Sequence, residues 1–294
     1  MAAANAFSLA CSDRFLNFWY DAAEQSVNLW FNGRQTDAYR AEHRLVGENI
    51  SLSVQHLNVH LAWTRLPETA VPASRPPQLA LAYTAFREAR FARGLYHWHD
   101  GQRSFVLPLI NGGHRYHDAS PYFPVPFSAG IMSGVAQGEA ALWVPGLRDA
   151  AGRVLRPLVW FSGNRYRKTD DGWEIIIEHD ALDVVREGDA RVPEPVRDSV
   201  YQCRTCYRIA EGAITREDTF TCPAGSAVAL EVLTAAYSES TKISLRGYDR
   251  VERRVSALCT PTGRLAQEII GWREVSVLTT FTVSWQVEYA APAR

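Results

Sequence analysis

Val200–Thr221 reads VYQCRTCYRIAEGAITREDTFT. Apolar and polar residues alternate on both sides of Glu211-Gly212, the pattern of two half-buried strands joined by a tight turn. Downstream, AVALEVLTAAY, KISLRGY, RRVSAL, EIIGW and VSVLTTFTVSWQVEY repeat the texture; upstream, LALAYTAF, SFVLPLI, AALWV, VLRPLVWF and WEIIIEH do the same. These runs are rich in Val, Ile, Thr and aromatics, which suit a pleated surface. Asp100-Gly101, Gly112-Gly113, Gly163-Asn164 and Asp171-Gly172 supply further turns. About a dozen short strands predict a mainly β chain, a large antiparallel β-sandwich of supersandwich-like kind, over residues 78–294.

The N-terminal part differs. In residues 13–30, Phe15, Phe18, Trp19, Ala22, Ser26, Leu29 and Trp30 recur at helical steps behind Ser12 as N-cap. Ala41, Glu42, Arg44 and Glu48 favour helix in the next segment, although Ile50, Leu52 and Val54 also suit a strand. Residues 1–66 are therefore expected to form a short helical segment. PETAVPASRPP, residues 67–77, reads as a Pro-rich connector.

The chain has 294 residues, a formal net charge of −1 and a hydrophobic fraction of 47%. That balance gives no bulk electrostatic attraction to nucleic acid or an acidic membrane, so neither is expected as a partner. No apolar run approaches the ~18 residues that cross a bilayer. The first residues lack the basic start of a secretory signal, so a reducing cytoplasm is the default expectation. Five cysteines are odd in number, and Cys203 with Cys206 forms one C-x-x-C without a second ligand pair; core thiols are the expected reading. No GxxxxGK[ST], GxGxxG or GxSxG motif is present, which disfavours nucleotide-dependent enzymes and α/β-hydrolases.

Chemistry concentrates in residues 94–130, GLYHWHDGQRSFVLPLINGGHRYHDASPYFPVPFSAG, with four of the eight histidines. On a strand, Tyr96 and Trp98 share one face while His97 and His99 share the other. Asn111-Gly112-Gly113 should end the following strand and leave His114, Arg115, Tyr116, His117 and Asp118 on a loop. A neutral imidazole accepts a proton near pH 7, and Arg115 can hold a carboxylate bidentately. The bland alternative is a surface loop held by Asx turns and aromatic–proline packing. A metal on His114, His117 and Asp118, or on His97 and His99, is a further reading, but two histidines are a sparse set and neither metal nor cofactor is expected.

Phe161–Lys168, FSGNRYRK, reads as a basic turn whose Arg165 can face an acidic sugar, or as a charged hairpin tip. Arg208, Arg216, Glu217 and Asp218 are expected to form cross-strand pairs on a solvated face. The stretch with Glu174, Glu178, His179 and Asp180 could supply a carboxylate to a site, but alternation from Glu174 to Glu178 also fits an ordinary exposed strand face. Trp98, Tyr116 and Trp160 are candidate platforms for sugar rings.

GLYHWHDGQRSFVLPLINGGH together with CYRIAEGAITREDTF resembles the β-sandwich part of toroid-plus-sandwich polysaccharide lyases of the heparinase II/III-like kind. The resemblance spans Gly94 to about Tyr237. That family's sandwich carries a His-x-His-x-Asp run; here His114-Arg115-Tyr116-His117-Asp118 has one more residue between the histidines. It implies β-elimination on a uronic-acid polysaccharide, with His114, His117 and Tyr116 as catalytic residues. Asn111, Arg115, Arg165, Trp98 and Trp160 would then bind substrate, Arg115 or Arg165 neutralising the carboxylate. A helical partner subunit or a homo-oligomer is compatible with it, because the chain is too short for a complete toroid. Asn111-Gly112-Gly113-His114 with Ser120-Pro121-Tyr122-Phe123 also resembles mutarotase-like sugar epimerases, for which Glu288 or Glu231 would be the base. A non-catalytic carbohydrate-binding or structural sandwich is the third reading.

Overall fold

The computed structural model describes residues 79–85, 94–99, 103–109, 124–128, 130–134, 136, 141–158, 161–185, 193–260, 263–276 and 279–289. The expected N-terminal helix, the 67–77 connector, Trp160 and the loop bearing Asn111, His114, Arg115, Tyr116 and His117 lie outside them.

The described residues form strands and turns only. The first strands are β1 (Ala80–Ala85), β2 (Gly94–His99), β3 (Ser104–Leu109), β4 (Gly146–Arg148), β5 (Val154–Arg156) and β6 (Phe161–Lys168). Then come β7 (Gly172–His179), β8 (Leu182–Val185), β9 (Pro193–Asp198), β10 (Gln202–Ala210), β11 (Ala213–Thr221) and β12 (Val228–Ala236). The last are β13 (Lys242–Arg246), β14 (Arg250–Val255), β15 (Cys259–Thr260), β16 (Gly263–Arg264), β17 (Gln267–Val275) and β18 (Thr280–Glu288). They assemble into a six-stranded sheet in the order β13-β18-β11-β10-β7-β6 and a seven-stranded sheet in the order β14-β17-β12-β4-β5-β8-β9. A three-stranded sheet, β1-β2-β3, and the short β15-β16 ladder complete the set. Every pairing is antiparallel. The chain is therefore mainly β with antiparallel sheets. No helix among the described residues is long and apolar enough to cross a membrane.

The period-2 pattern decides the core. Along β11 burial alternates, with Ile214, Arg216, Asp218 and Phe220 turned in. β18 does the same with Phe281, Val283, Trp285 and Val287. Leu147, Leu155, Leu182, Val228 and Leu230 of the seven-stranded sheet meet Cys203, Phe220, Phe281 and Val283 of the six-stranded sheet in one apolar cluster. In a second cluster Val232, Ala236 and Ile269 meet Ile175, Tyr207, Ile214 and Trp285, and Tyr96, Trp98, Phe105 and Leu107 of the three-stranded sheet close it. Burial of these side chains, at about 1.5–3 kcal/mol each, is the main term holding the layers together.

Hairpin turns sit where Asp171-Gly172 and Glu211-Gly212 predict them, β6 returning as β7 and β10 as β11. Gly163-Asn164 makes no turn. Both residues lie inside β6, after a register shift between Phe161 and Gly163, so FSGNRYRK is an edge strand and not a hairpin tip. The bulge is at Ser162-Gly163, where two residues stand opposite Glu178, and regular pairing resumes at Asn164 with Ile177.

At Gly172 a Cβ would lie 1.9 Å from the Ile209 carbonyl oxygen, so β7 and β10 approach closely only because the side chain is absent. Gly172→Ala is expected to cost about 1–3 kcal/mol, the range for an overpacked interior, read as a lower urea midpoint at unchanged slope.

Candidate functional site

Strands β6, β7, β10 and β11 stand side by side, and their register sets the outward side chains in rows. One row runs Arg167, Glu174, Arg208, Thr215; the next runs Arg165, Ile176, Cys206, Glu217; in a third Glu178 meets Arg204 and Thr219. They enclose a groove of about 370 Å³ whose lining includes Arg165, Arg167, Arg204, Arg208, Glu174 and Cys206.

The carboxylates are shared. Glu174 takes Arg167 at 2.9 Å and Arg208 at 3.9 Å, while Glu178 takes Arg165 at 3.2 Å and Arg204 at 3.6 Å. Arg208 also reaches Glu217 at 3.6 Å. Four guanidiniums thus face three carboxylates. The arginine side chains are 53–71% exposed, whereas that of Glu174 is only 10% exposed. Glu174 lies low, Glu178 and Glu217 are 35% and 36% exposed, and the four arginines stand at the rim. Each guanidinium has five N–H donors, so a shared carboxylate leaves donors directed at solvent.

The hydrogen bond from Arg167 holds the Glu174 carboxyl below the usual carboxylate range, against the opposing effect of burial. Burial, then the Glu174 charge, pushes the Cys206 thiol up to about 11. At neutral pH the groove therefore presents a fixed carboxylate and a protonated thiol.

The sandwich interior holds a different polar cluster. Arg216 and Asp218 are paired at 2.7 Å with side-chain exposures of 0% and 1%. Thr205 Oγ1 donates to Asp218 Oδ1 at 2.6 Å, and Arg216 Nη1 donates to Tyr207 Oη at 2.9 Å. This corrects the expectation that Arg208, Arg216, Glu217 and Asp218 share a solvated face. Alternation sends Arg216 and Asp218 inward, and only Arg208 and Glu217 pair outside. The same alternation puts Cys203 inside and Cys206 in the groove, on opposite faces, and neither is in a disulfide.

Among the sequence-predicted site residues, Arg165 lines the groove. Trp98 is fully buried with its ring stacked on Phe105 at 5.2 Å, because β2 turns Tyr96 and Trp98 to the core; it is a core residue and offers no face to a sugar. Glu231 is exposed and accepts a hydrogen bond from Trp272 Nε1 at 3.1 Å, and exposed Glu288 accepts one from Gln286 Nε2 at 3.1 Å; they stand on different sheets. Arg204 escaped sequence reasoning as a site residue, and Arg208 and Glu178 read equally well there as members of solvated strand faces. The signal was present in the two-residue spacings of WEIIIEH and RTCYR, but its meaning depends on strand order.

No known protein family matches the chain, and no curated protein matches it. A solved structure similar to it is 4-alpha-glucanotransferase from Thermococcus litoralis, at 7% identity and a TM-score of 0.37. The match covers 72% of this chain and 40% of that one, so the chain spans two fifths of that structure's length.

Proposed function

We propose that the chain binds an acidic carbohydrate, with carboxylates of the sugar chain seated on the guanidinium rim of the groove. The observation that supports this reading is the arrangement of Arg165, Arg167, Arg204 and Arg208, each more than half exposed, over a covered Glu174 and the less exposed Glu178 and Glu217. Planar guanidiniums match carboxylates in bidentate geometry, and the neighbouring Glu174 and Glu178 hold the side chains in place. The finer reading is β-elimination on a uronate polysaccharide. His114, His117 and Tyr116 would carry the proton transfers, and Asn111, Arg115 and Trp160 would hold the sugar beside them.

A calorimetric titration with a panel of uronate polysaccharides, against a neutral glucan, tests binding. Arg165→Gln with Arg204→Gln is expected to weaken uronate binding by about tenfold or more, the scale of a lost charge-assisted hydrogen bond. Stability should change by less than about 1 kcal/mol, since exposed ion pairs contribute little. Added salt should weaken binding as well. Equal affinity for the neutral glucan, or no effect of the double variant, removes the reading. Growth of ultraviolet absorbance from an unsaturated product in the same mixtures tests the elimination; its absence on every bound uronan removes that step and leaves binding.

A further inference from the structure

We infer that the ligand lies across the strands, continuing from the guanidinium groove onto a hydroxyl-lined half of the same sheet face. This rests on the acidic-carbohydrate reading above and adds where the rest of the chain goes. Beyond β10 the outward positions are mostly hydroxyls and an amide, with Glu217 and Glu288 the carboxylates among them. Thr215, Thr219 and Thr221 of β11 stand beside Gln286, Thr282 and Thr280 of β18, with Ser244 of β13 next to Gln286. Thr221, Thr280, Thr282 and Ser244 are exposed, and Thr219 Oγ1 lies 3.1 Å from Thr282 Oγ1.

Each hydroxyl both donates and accepts, and the primary amide of Gln286 does the same, so this half complements the hydroxyls of uncharged sugar positions. It carries no large apolar side chain, which separates it from a protein-docking face. Charge sets the direction of the ligand. Along a strand an anionic chain would leave the cations within two residues of Arg165 and Arg167. Across the strands one row runs from Arg167 and Arg208 through Thr215 and Gln286 to Ser244, and the next runs from Arg165 past Glu217 and Ser284 to Arg246 on β13. The six strands give a track of about 24 Å at ~4.8 Å per spacing, long enough for several sugar residues. The ligand class is therefore a linear acidic oligosaccharide whose carboxylates are interrupted by, or followed by, hydroxyl-bearing positions.

Affinity as a function of chain length provides the test, with uronate disaccharide, tetrasaccharide and octasaccharide titrated into the whole chain. The Thr280→Val, Thr282→Val double variant, both residues on β18 outside the groove lining, keeps β-branched side chains and removes both hydroxyls. Two lost hydrogen bonds should weaken the octasaccharide about tenfold and leave the disaccharide unchanged, whereas Arg204→Gln should weaken both. Near-ultraviolet circular dichroism identical to wild type shows that the sheet is intact. If the octasaccharide binds the double valine variant as tightly as wild type while Arg204→Gln still weakens it, the hydroxyl track is overturned and the groove stands. If no oligosaccharide binds wild type at all, the groove reading falls and the track with it.

Discussion

Replacing His179 by Leu should flatten the acid limb of the stability curve. His179 ends β7 on the inward face, 2% exposed, with its ring 5.2 Å from that of Phe161 and Cys203 opposite it in register. Neither Nδ1 nor Nε2 finds a hydrogen-bond partner among the described residues. Burial, reinforced by the Arg216 charge, pushes the imidazole down to about 3. In the unfolded chain the same group titrates near 6.5, so between these values the unfolded state binds the proton and the native state does not. Stability therefore rises with pH across that window. It is free of the penalty above about pH 6.5 and loses it progressively as pH falls toward 3, by about 5 kcal/mol in all at ~1.4 kcal/mol per pH unit. At pH 5 the deficit is about 2 kcal/mol. His179→Leu removes this term and leaves every carboxylate in place, so the difference between variant and wild type isolates it. Urea unfolding at pH 7 and pH 5 should show wild type losing about 2 kcal/mol more than the variant on acidification. At pH 7 the variant should be at least as stable, because two orphaned nitrogens leave the core. Equal losses in the two proteins would show that His179 is not the group holding the proton off.

The sheets were legible in the sequence because their signal is local. Alternation in ITREDTFT and TFTVSWQVE places Phe220 and Trp285 inside without any knowledge of strand order, and Glu211-Gly212 marks its turn. Gly163-Asn164 misled because Gly163 serves a bulge with Ser162 as readily as a turn with Asn164, and only the partner strand tells them apart. The face of Trp98 followed from β2's alternation, but which face meets the core depends on the three-stranded sheet's position against Ile175, Tyr207 and Trp285. The groove was the least legible feature. Arg165, Glu174, Arg208 and Glu217 come from four strands, and β6 and β11 reach one groove only through the order β6-β7-β10-β11. A charge at every second position says that a face is wet; it does not say which other charges share it. Arg216 and Asp218 show the converse, since strict alternation already assigned them to the face of Ile214 and Phe220.

Asp218→Ala is expected to destabilise the fold by about 3–5 kcal/mol, because it strands a guanidinium in the sandwich interior. Arg216 gives Nε to Asp218 Oδ2 at 2.7 Å and Nη2 to Oδ1 at 2.9 Å, a bidentate pair. Its Nη1 reaches Tyr207 Oη and the Pro124 carbonyl at 3.3 Å, and Tyr207 Oη itself donates to that carbonyl. Burial works against the Arg216 charge, but Asp218, then Tyr207, more than offset it and the group is held charged. Removing the carboxylate leaves the desolvation penalty and takes away its compensation; Thr205 Oγ1 loses its acceptor as well. The pair taken whole is another matter. Two charges taken out of water cost several kcal/mol each, so Arg216→Met combined with Asp218→Leu should recover most of the loss. A double-mutant cycle by urea unfolding at pH 7 measures the coupling, and a favourable term above about 2 kcal/mol is the expected result. A single variant costing less than about 1 kcal/mol would mean that water or a rearranged partner reaches Arg216, and the sealed interior described by its neighbours would have to be given up.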